Sequence, residues 1–152
     1  MKRIIIILVA LLCAGQMAAQ NALNDKADNI VGTYASKYGD NRFKVRIVKL
    51  NDGTYRGQVL WMEHDRDAKG NKLLDTKNPD KRLRSKPADQ VVLFSGLKYD
   101  AKNKCWGDTK IYDPQHGIKA NMTAEFIADG RLRIRGSLFG IGQSIYWTAV
   151  AE

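Results

Sequence analysis

The sequence predicts an all-β chain: one antiparallel up-and-down barrel of about eight strands, with a single long loop after the third. Three observations carry that expectation. Eight short runs alternate apolar and polar residues or are bounded by turn formers. Past residue 19, no helix-period run exceeds about ten residues. Only the stretch from Asp65 to Pro87 lacks strand periodicity over any length, so it reads as either a lid or a plug. Consecutive antiparallel strands of this number favour closure, because a closed sheet has no exposed edge to protect.

Residues 1–19 read as a secretory signal peptide: Lys2 and Arg3, an apolar run from Ile4 to Ala14, then Ala18 and Ala19 before an expected cut. The run is shorter than the roughly 20 residues a membrane-spanning helix needs. Leu12 stands before Cys13 where a lipid-modification site wants a small residue, which speaks against a lipoprotein. The expected product is soluble and lies beyond the inner membrane, periplasmic or extracellular. Loss of Lys2 and Arg3 lowers the formal charge of +9 by two, and loss of Cys13 leaves Cys105 without a disulfide partner. Burial must then hold the fold together.

Residues 20–29 are polar and read as a flexible lead-in or one short helical turn; residues 30–152 form the barrel domain. IVGTYAS, RFKVRIVKL and TYRGQVLWME come first, with Asn51-Asp52-Gly53 marking a hairpin between the second and third. Gly57 inside the third strand signals a bend or a close approach. After the long loop come VVLFSGLKY, KCWGDTKIY, IKANMTAEFIA, RLRIRGSLF and QSIYWTAV, separated by turn-forming residues. The alternation points Phe43, Val45, Ile47, Val59, Trp61, Met122, Phe126, Leu132, Ile134, Ile145 and Trp147 inward. Ala120, Ala124, Gly57 and Gly136 lie among them, leaving either a hollow or tight curvature.

The basic residues alternate with apolar ones, as in Arg42, Lys44 and Arg46, and so read chiefly as solvated outer faces. No nucleic-acid recognition motif accompanies the charge. Asp65, Asp67, Gly70 and Asn71 imitate the start of a calcium loop, but Lys69 and Thr76 fall where ligands belong. Two histidines, His64 and His116, without cysteine clusters give no zinc spacing. No Gly-x-Ser-x-Gly elbow is present, and Cys105 beside Lys104 reads as a structural thiol more readily than a nucleophile. No metal, cofactor or catalytic residue is therefore assigned, and the enzyme question leans to no.

Several motifs in order resemble the bacterial family catalogued as domain of unknown function 2147. They are Gly32-Thr33-Tyr34, Gly57-Gln58-Val59-Leu60-Trp61, Asp75 with Asn78-Pro79-Asp80 and Leu83-Arg84, Trp106, Ile111-Tyr112-Asp113-Pro114, Gly117, Leu132 to Gly136, and Trp147. Asp108, where a second glycine after Trp106 is common, and Ile118-Lys119-Ala120 depart from the pattern. The resemblance spans about residues 30–150 and implies a small secreted protein of lipocalin-like barrel character, with no catalytic residues to carry over.

The leading expectation is a non-catalytic binding module for a small apolar or amphiphilic, anionic ligand held under the Asp65–Pro87 loop. Trp61, Met122, Phe126 and Trp147 would line the site, and Arg82, Arg84 or Arg135 would meet an acid group. Asp75, Asn78, Asp80, Tyr112 and Asp113 would form the rim. The rivals are a packed barrel that touches an anionic envelope component or a protein through its basic face, and an enzyme using Asp113, His116 or Glu63 at the mouth.

Overall fold

A computed structural model of the protein describes residues 22–151; the expected signal peptide, with Cys13, lies outside the described residues. Eight strands close into a barrel in chain order: β1 (Gly32–Tyr38), β2 (Asn41–Lys49), β3 (Tyr55–Met62), β4 (Val92–Asp100), β5 (Cys105–Asp113), β6 (Ile118–Phe126), β7 (Leu132–Leu138) and β8 (Ile141–Val150). All adjacent pairs are antiparallel, as period-two runs joined by short turns require. Among the described residues no helix is long and apolar enough to cross a membrane.

The seam between β1 and β8 is short. Thr33 pairs with Val150, Tyr34 with Ala149 and Ala35 with Thr148. Beyond Ala35 the Ser36 hydroxyl donates to Tyr146 O, and a crevice lined by Ser36, Lys37, Ile145 and Tyr146 opens.

One end of the barrel is plugged by residues 22–31, ahead of β1. From Ala22 the lead-in is tied down: Asn24 is buried and exchanges hydrogen bonds with the Phe126 backbone, donating at 3.0 Å and accepting at 2.8 Å. A 3-10 turn over Ala27–Ile30 then drives Ile30 into the core. Three side chains from inside the barrel donate to this segment: Trp106 Nε1 to Ala27 O (3.0 Å), Tyr99 OH to Asn24 O (2.5 Å) and Tyr34 OH to Ile30 O (2.9 Å). The plug's buried backbone oxygens thus find partners. Above it, Trp106 packs edge-on against Phe126 (5.8 Å) and tilted against Tyr99 (5.1 Å).

Two irregularities aim the side chains. The β2–β3 ladder passes from Lys44–Trp61 to Val45–Val59, so Leu60 is an extra residue in β3. That bulge reverses the alternation: Val59 and Met62 face inward while Leu60 and Trp61 face out. Trp61, expected inside, is 43% exposed, with Lys44 Nζ 5.8 Å from its ring centre. Gly57 marks a close approach, since a Cβ there would lie 2.4 Å from the ring of Phe94, which stacks on Trp147.

Residues 63–91 form neither a lid nor a plug. Two isolated bridges, Arg66–Lys72 and Leu74–Pro87, fold the loop on itself, and Lys72 Nζ sits 2.5 Å from both Asp65 and Asp89. Asp67 spends its carboxylate on the backbone N–H groups of Lys69 and Asn71. The loop then leans on the β5–β6 turn. Asp75, 3% exposed, accepts from Tyr112 OH (2.6 Å) and Asn78 Nδ2 (2.7 Å), while Lys77 Nζ donates to Gln115 O (2.6 Å). Gly117, at φ +67°, is required by this contact: a Cβ there would lie 2.3 Å from Lys77 O.

Three tyrosines give the fold an alkaline limit. Burial pushes Tyr34 up to about 12, and burial followed by hydrogen bonds to Asp28 and Asp75 raises Tyr55 and Tyr112 above their ordinary 10.0. Above pH 10 the unfolded chain has lost protons that the folded chain keeps, so stability falls as pH rises. Urea midpoints should be level up to about pH 10 and drop steadily towards pH 12; a flat profile would remove this account.

Candidate functional site

The half of the barrel away from the plug is hollow. A cavity of about 510 Å³ opens between the β1–β2, β5–β6 and β7–β8 turns. That volume lies within the range of small-molecule sites, roughly 300–1,000 Å³. The small residues weighed as either hollow or curvature line the hollow: Gly136 pairs with Met122 across the β6–β7 ladder and lies diagonally beside Ala120, where a Cβ on Gly136 would stand 3.5 Å from the Ala120 methyl. Phe43, Ile111 and Ile145 point inward yet stay half-exposed because the space before them is unfilled. Val59, Leu93 and Ile134 complete the wall, and Trp147, between Tyr34 and Phe94, forms the floor.

The mouth is polar on one side. His116 Nδ1 lies 2.6 Å from Asp113 Oδ2. An ionised carboxylate only accepts, so the shared proton sits on Nδ1 and Nε2 is the free ring nitrogen. Asp113 also accepts from Gln115 N (2.9 Å), which braces the turn. Asn41, Gln115 and Gln143 add neutral amides, while Tyr38, Ile118, Leu138 and Ile141 add apolar surface. Lysine and arginine are missing from the described lining.

Of the expected ligand-binding residues, only Trp147 lines the cavity. Met122 is buried deeper in the core, and Phe126 lies at the plugged end against Trp106. Trp61 is turned outward by the bulge. Arg82 forks onto Asp80 (3.0 and 2.8 Å), Arg84 Nε donates to Asn78 O (2.8 Å), and Arg135 lies exposed on the outer face of β7. Of the expected rim, Tyr112 and Asp113 touch the cavity; Asp75, Asn78 and Asp80 fasten the loop beside it. From the long loop only Ala88 reaches the lining; Asp67, Asp75, Lys77, Asn78, Asp80, Arg82 and Arg84 instead bond within the loop or to β5 and the β5–β6 turn.

Acid–base chemistry finds one pair and little for it to act with. Glu63 is bound to Arg42 at 2.6 and 2.9 Å, which holds its carboxyl down at about 2, and it is absent from the lining. The described lining has no serine, threonine, cysteine or lysine for Asp113 and His116 to activate. Burial pushes the Cys105 thiol up, away from a reactive thiolate.

The half-exposed inward residues and the plug were not legible as such. A small signal existed for the plug: Leu23 is an apolar residue within the otherwise polar stretch before Ile30 and Val31. His116 and Asp113 were both named for the mouth, and their partnership is an i, i+3 contact across the β5–β6 turn.

Comparison with known proteins agrees with this geometry. A family model described as an uncharacterized protein conserved in bacteria (DUF2147) matches residues 32–149. Among solved structures, protein HP1028 from the human pathogen Helicobacter pylori, described as belonging to the lipocalin family, is similar with a TM-score of 0.64. The two share 21% sequence identity over 81% of this chain and 84% of that one, a likeness of fold. No curated protein matches the chain.

Proposed function

Because the chain belongs to the bacterial family of domain of unknown function 2147, to which no activity is attached, its reading must come from its own barrel, and we propose a non-catalytic binding module for a small, mainly apolar ligand. The observation that carries this is the hollow: about 510 Å³ lined by aliphatic and aromatic side chains, plugged below and open above. The ligand's polar end would meet Asn41, Gln143 and the His116–Asp113 pair, so a neutral or hydrogen-bond-donating head fits better than the acid first expected. The cations named for that acid are engaged elsewhere or face outward. A packed barrel does not accommodate the hollow, although the basic outer face remains available. The N-terminal segment supports action beyond the inner membrane.

Native mass spectrometry of protein purified from its own host should reveal a bound molecule. Filling the hollow offers a second check. Ala120→Phe should weaken uptake of the uncharged fluorophore N-phenyl-naphthylamine about ten-fold, a loss of about 1.4 kcal/mol, with the melting temperature kept or raised. Unchanged uptake would place the binding site elsewhere or remove it.

A further inference from the structure

The rim of the cavity carries a feature that ligand binding alone does not explain. The β7–β8 turn consists of Phe139 at φ 51° and Gly140 at φ 77°. A two-residue hairpin of this shape ordinarily takes Asn, Asp or Gly at its first position, because a bulky side chain is strained at positive φ. Here a phenylalanine takes it and is 95% exposed, with Ile141 76% exposed two residues on. Both backbone preference and hydration are given up, and the barrel's own packing gains nothing. Leu138, Ile118 and Tyr38 extend this apolar surface without a break into the lining of the cavity.

Cations flank the tip. The Arg135 guanidinium lies against Gly142, within 2.4 Å of where a Cβ would stand, and no carboxylate pairs with it among the described residues. Lys119 stands two residues up the β6–β7 ladder from the Asn121–Ser137 pair, at the level of Phe139. Lys37 stands next to the last residue of β1 on the other flank. The carboxylates of this end are engaged: Asp80 with Arg82, Asp113 with His116, Glu63 with Arg42, leaving Asp40. An apolar wedge inside a cationic collar matches an anionic bilayer, whose headgroups meet the collar and whose acyl chains receive the wedge. A second copy set mouth to mouth would instead bring these cations together.

We propose that the rim docks on an anionic lipid surface with Phe139 inserted, so that the cavity opens directly onto the acyl layer. The docking rests on the rim alone; its use, delivering or collecting an apolar ligand without passage through water, rests on the binding reading above.

The test uses protein purified from its host, in the form the host keeps, and vesicles of phosphatidylethanolamine with phosphatidylglycerol or of phosphatidylcholine alone. Flotation should show binding to the first and much less to the second, falling steeply with salt. Phe139→Asn, which suits the turn, should leave thermal stability equal or higher and weaken vesicle binding about ten-fold. Arg135→Gln should weaken binding and flatten its salt dependence. Phe139→Trp should become quenchable by lipids brominated in their acyl chains. Docking is overturned if the wild type ignores both vesicles, if Phe139→Asn binds as tightly as wild type, or if the protein is a dimer that Phe139→Asn dissolves. Fluorophore uptake in solution separates the two readings. Uptake without vesicle binding removes docking alone, whereas vesicle binding without uptake supports docking and removes the cavity reading.

Discussion

Trp106→Ala is expected to cost the barrel roughly 3–5 kcal/mol, as truncation of a fully buried tryptophan does, and to loosen the plug at its closed end. Trp106 is 0% exposed and packs on Phe126 and Tyr99. Its indole N–H also holds Ala27 O, so the same residue fills the core and fastens residues 22–31. The losses separate in a second variant. Trp106→Phe keeps one aromatic ring while dropping the donor and the second ring, and should cost less than the alanine variant, about 1–3 kcal/mol. Urea unfolding measures the totals; amide exchange over residues 24–31 measures the plug. A plug whose exchange is unchanged in Trp106→Ala would show that Asn24 and Ile30 suffice without it.

The second large effect is expected at Asp75. Its carboxylate is the shared acceptor for Tyr112 OH and Asn78 Nδ2, all three residues being buried. Asp75→Ala leaves two enclosed donors without partners and should destabilise the protein by about 2–4 kcal/mol. The signature is the cycle with Tyr112→Phe. With the phenol already gone, removing the carboxylate should cost clearly less, by at least about 1 kcal/mol. Strict additivity would mean that the two groups do not act as a unit. Since Tyr112 lines the cavity and Asp75 belongs to the long loop, loss of the pair should also raise amide exchange in residues 74–78 and in the β5–β6 turn.

Strand number, order and closure were legible because alternation and turn chemistry agree along nearly the whole chain. Ile118, Ala120, Met122, Ala124 and Phe126 share the inner face of β6 as the period-two pattern requires. The candidate site was far less legible, for reasons that can be named. One extra residue at Leu60 turns Trp61 outward, and nothing in the composition of β3 marks where the pattern breaks. Of the arginines of the long loop, Arg82 has its partner Asp80 two residues away, a pairing the sequence itself suggests, whereas the partner of Arg84 is the Asn78 carbonyl, a backbone group that only folding brings to it. Asp108, read as a departure from the family's glycine, sits at φ 61° with its carboxylate 2.7 Å from Lys98 Nζ; the backbone there is the one glycine would favour.

The unequal joining of the first and last strands has a mechanical corollary. Along most of the circumference, enlarging the aperture means parting backbone ladders, but two flanks are laddered over only three residue pairs: beyond Ala35 the described flank between β1 and β8 keeps the Ser36–Tyr146 bond, and beyond Lys98 the flank between β4 and β5 keeps the Thr109 hydroxyl on Ser95 O. The cylinder therefore behaves less like a rigid cup than like a sleeve with two slits, whose unstitched portions lie at the open end. A guest broader than the resting opening has two directions in which the wall yields most cheaply, while the stitched, stoppered base holds its shape.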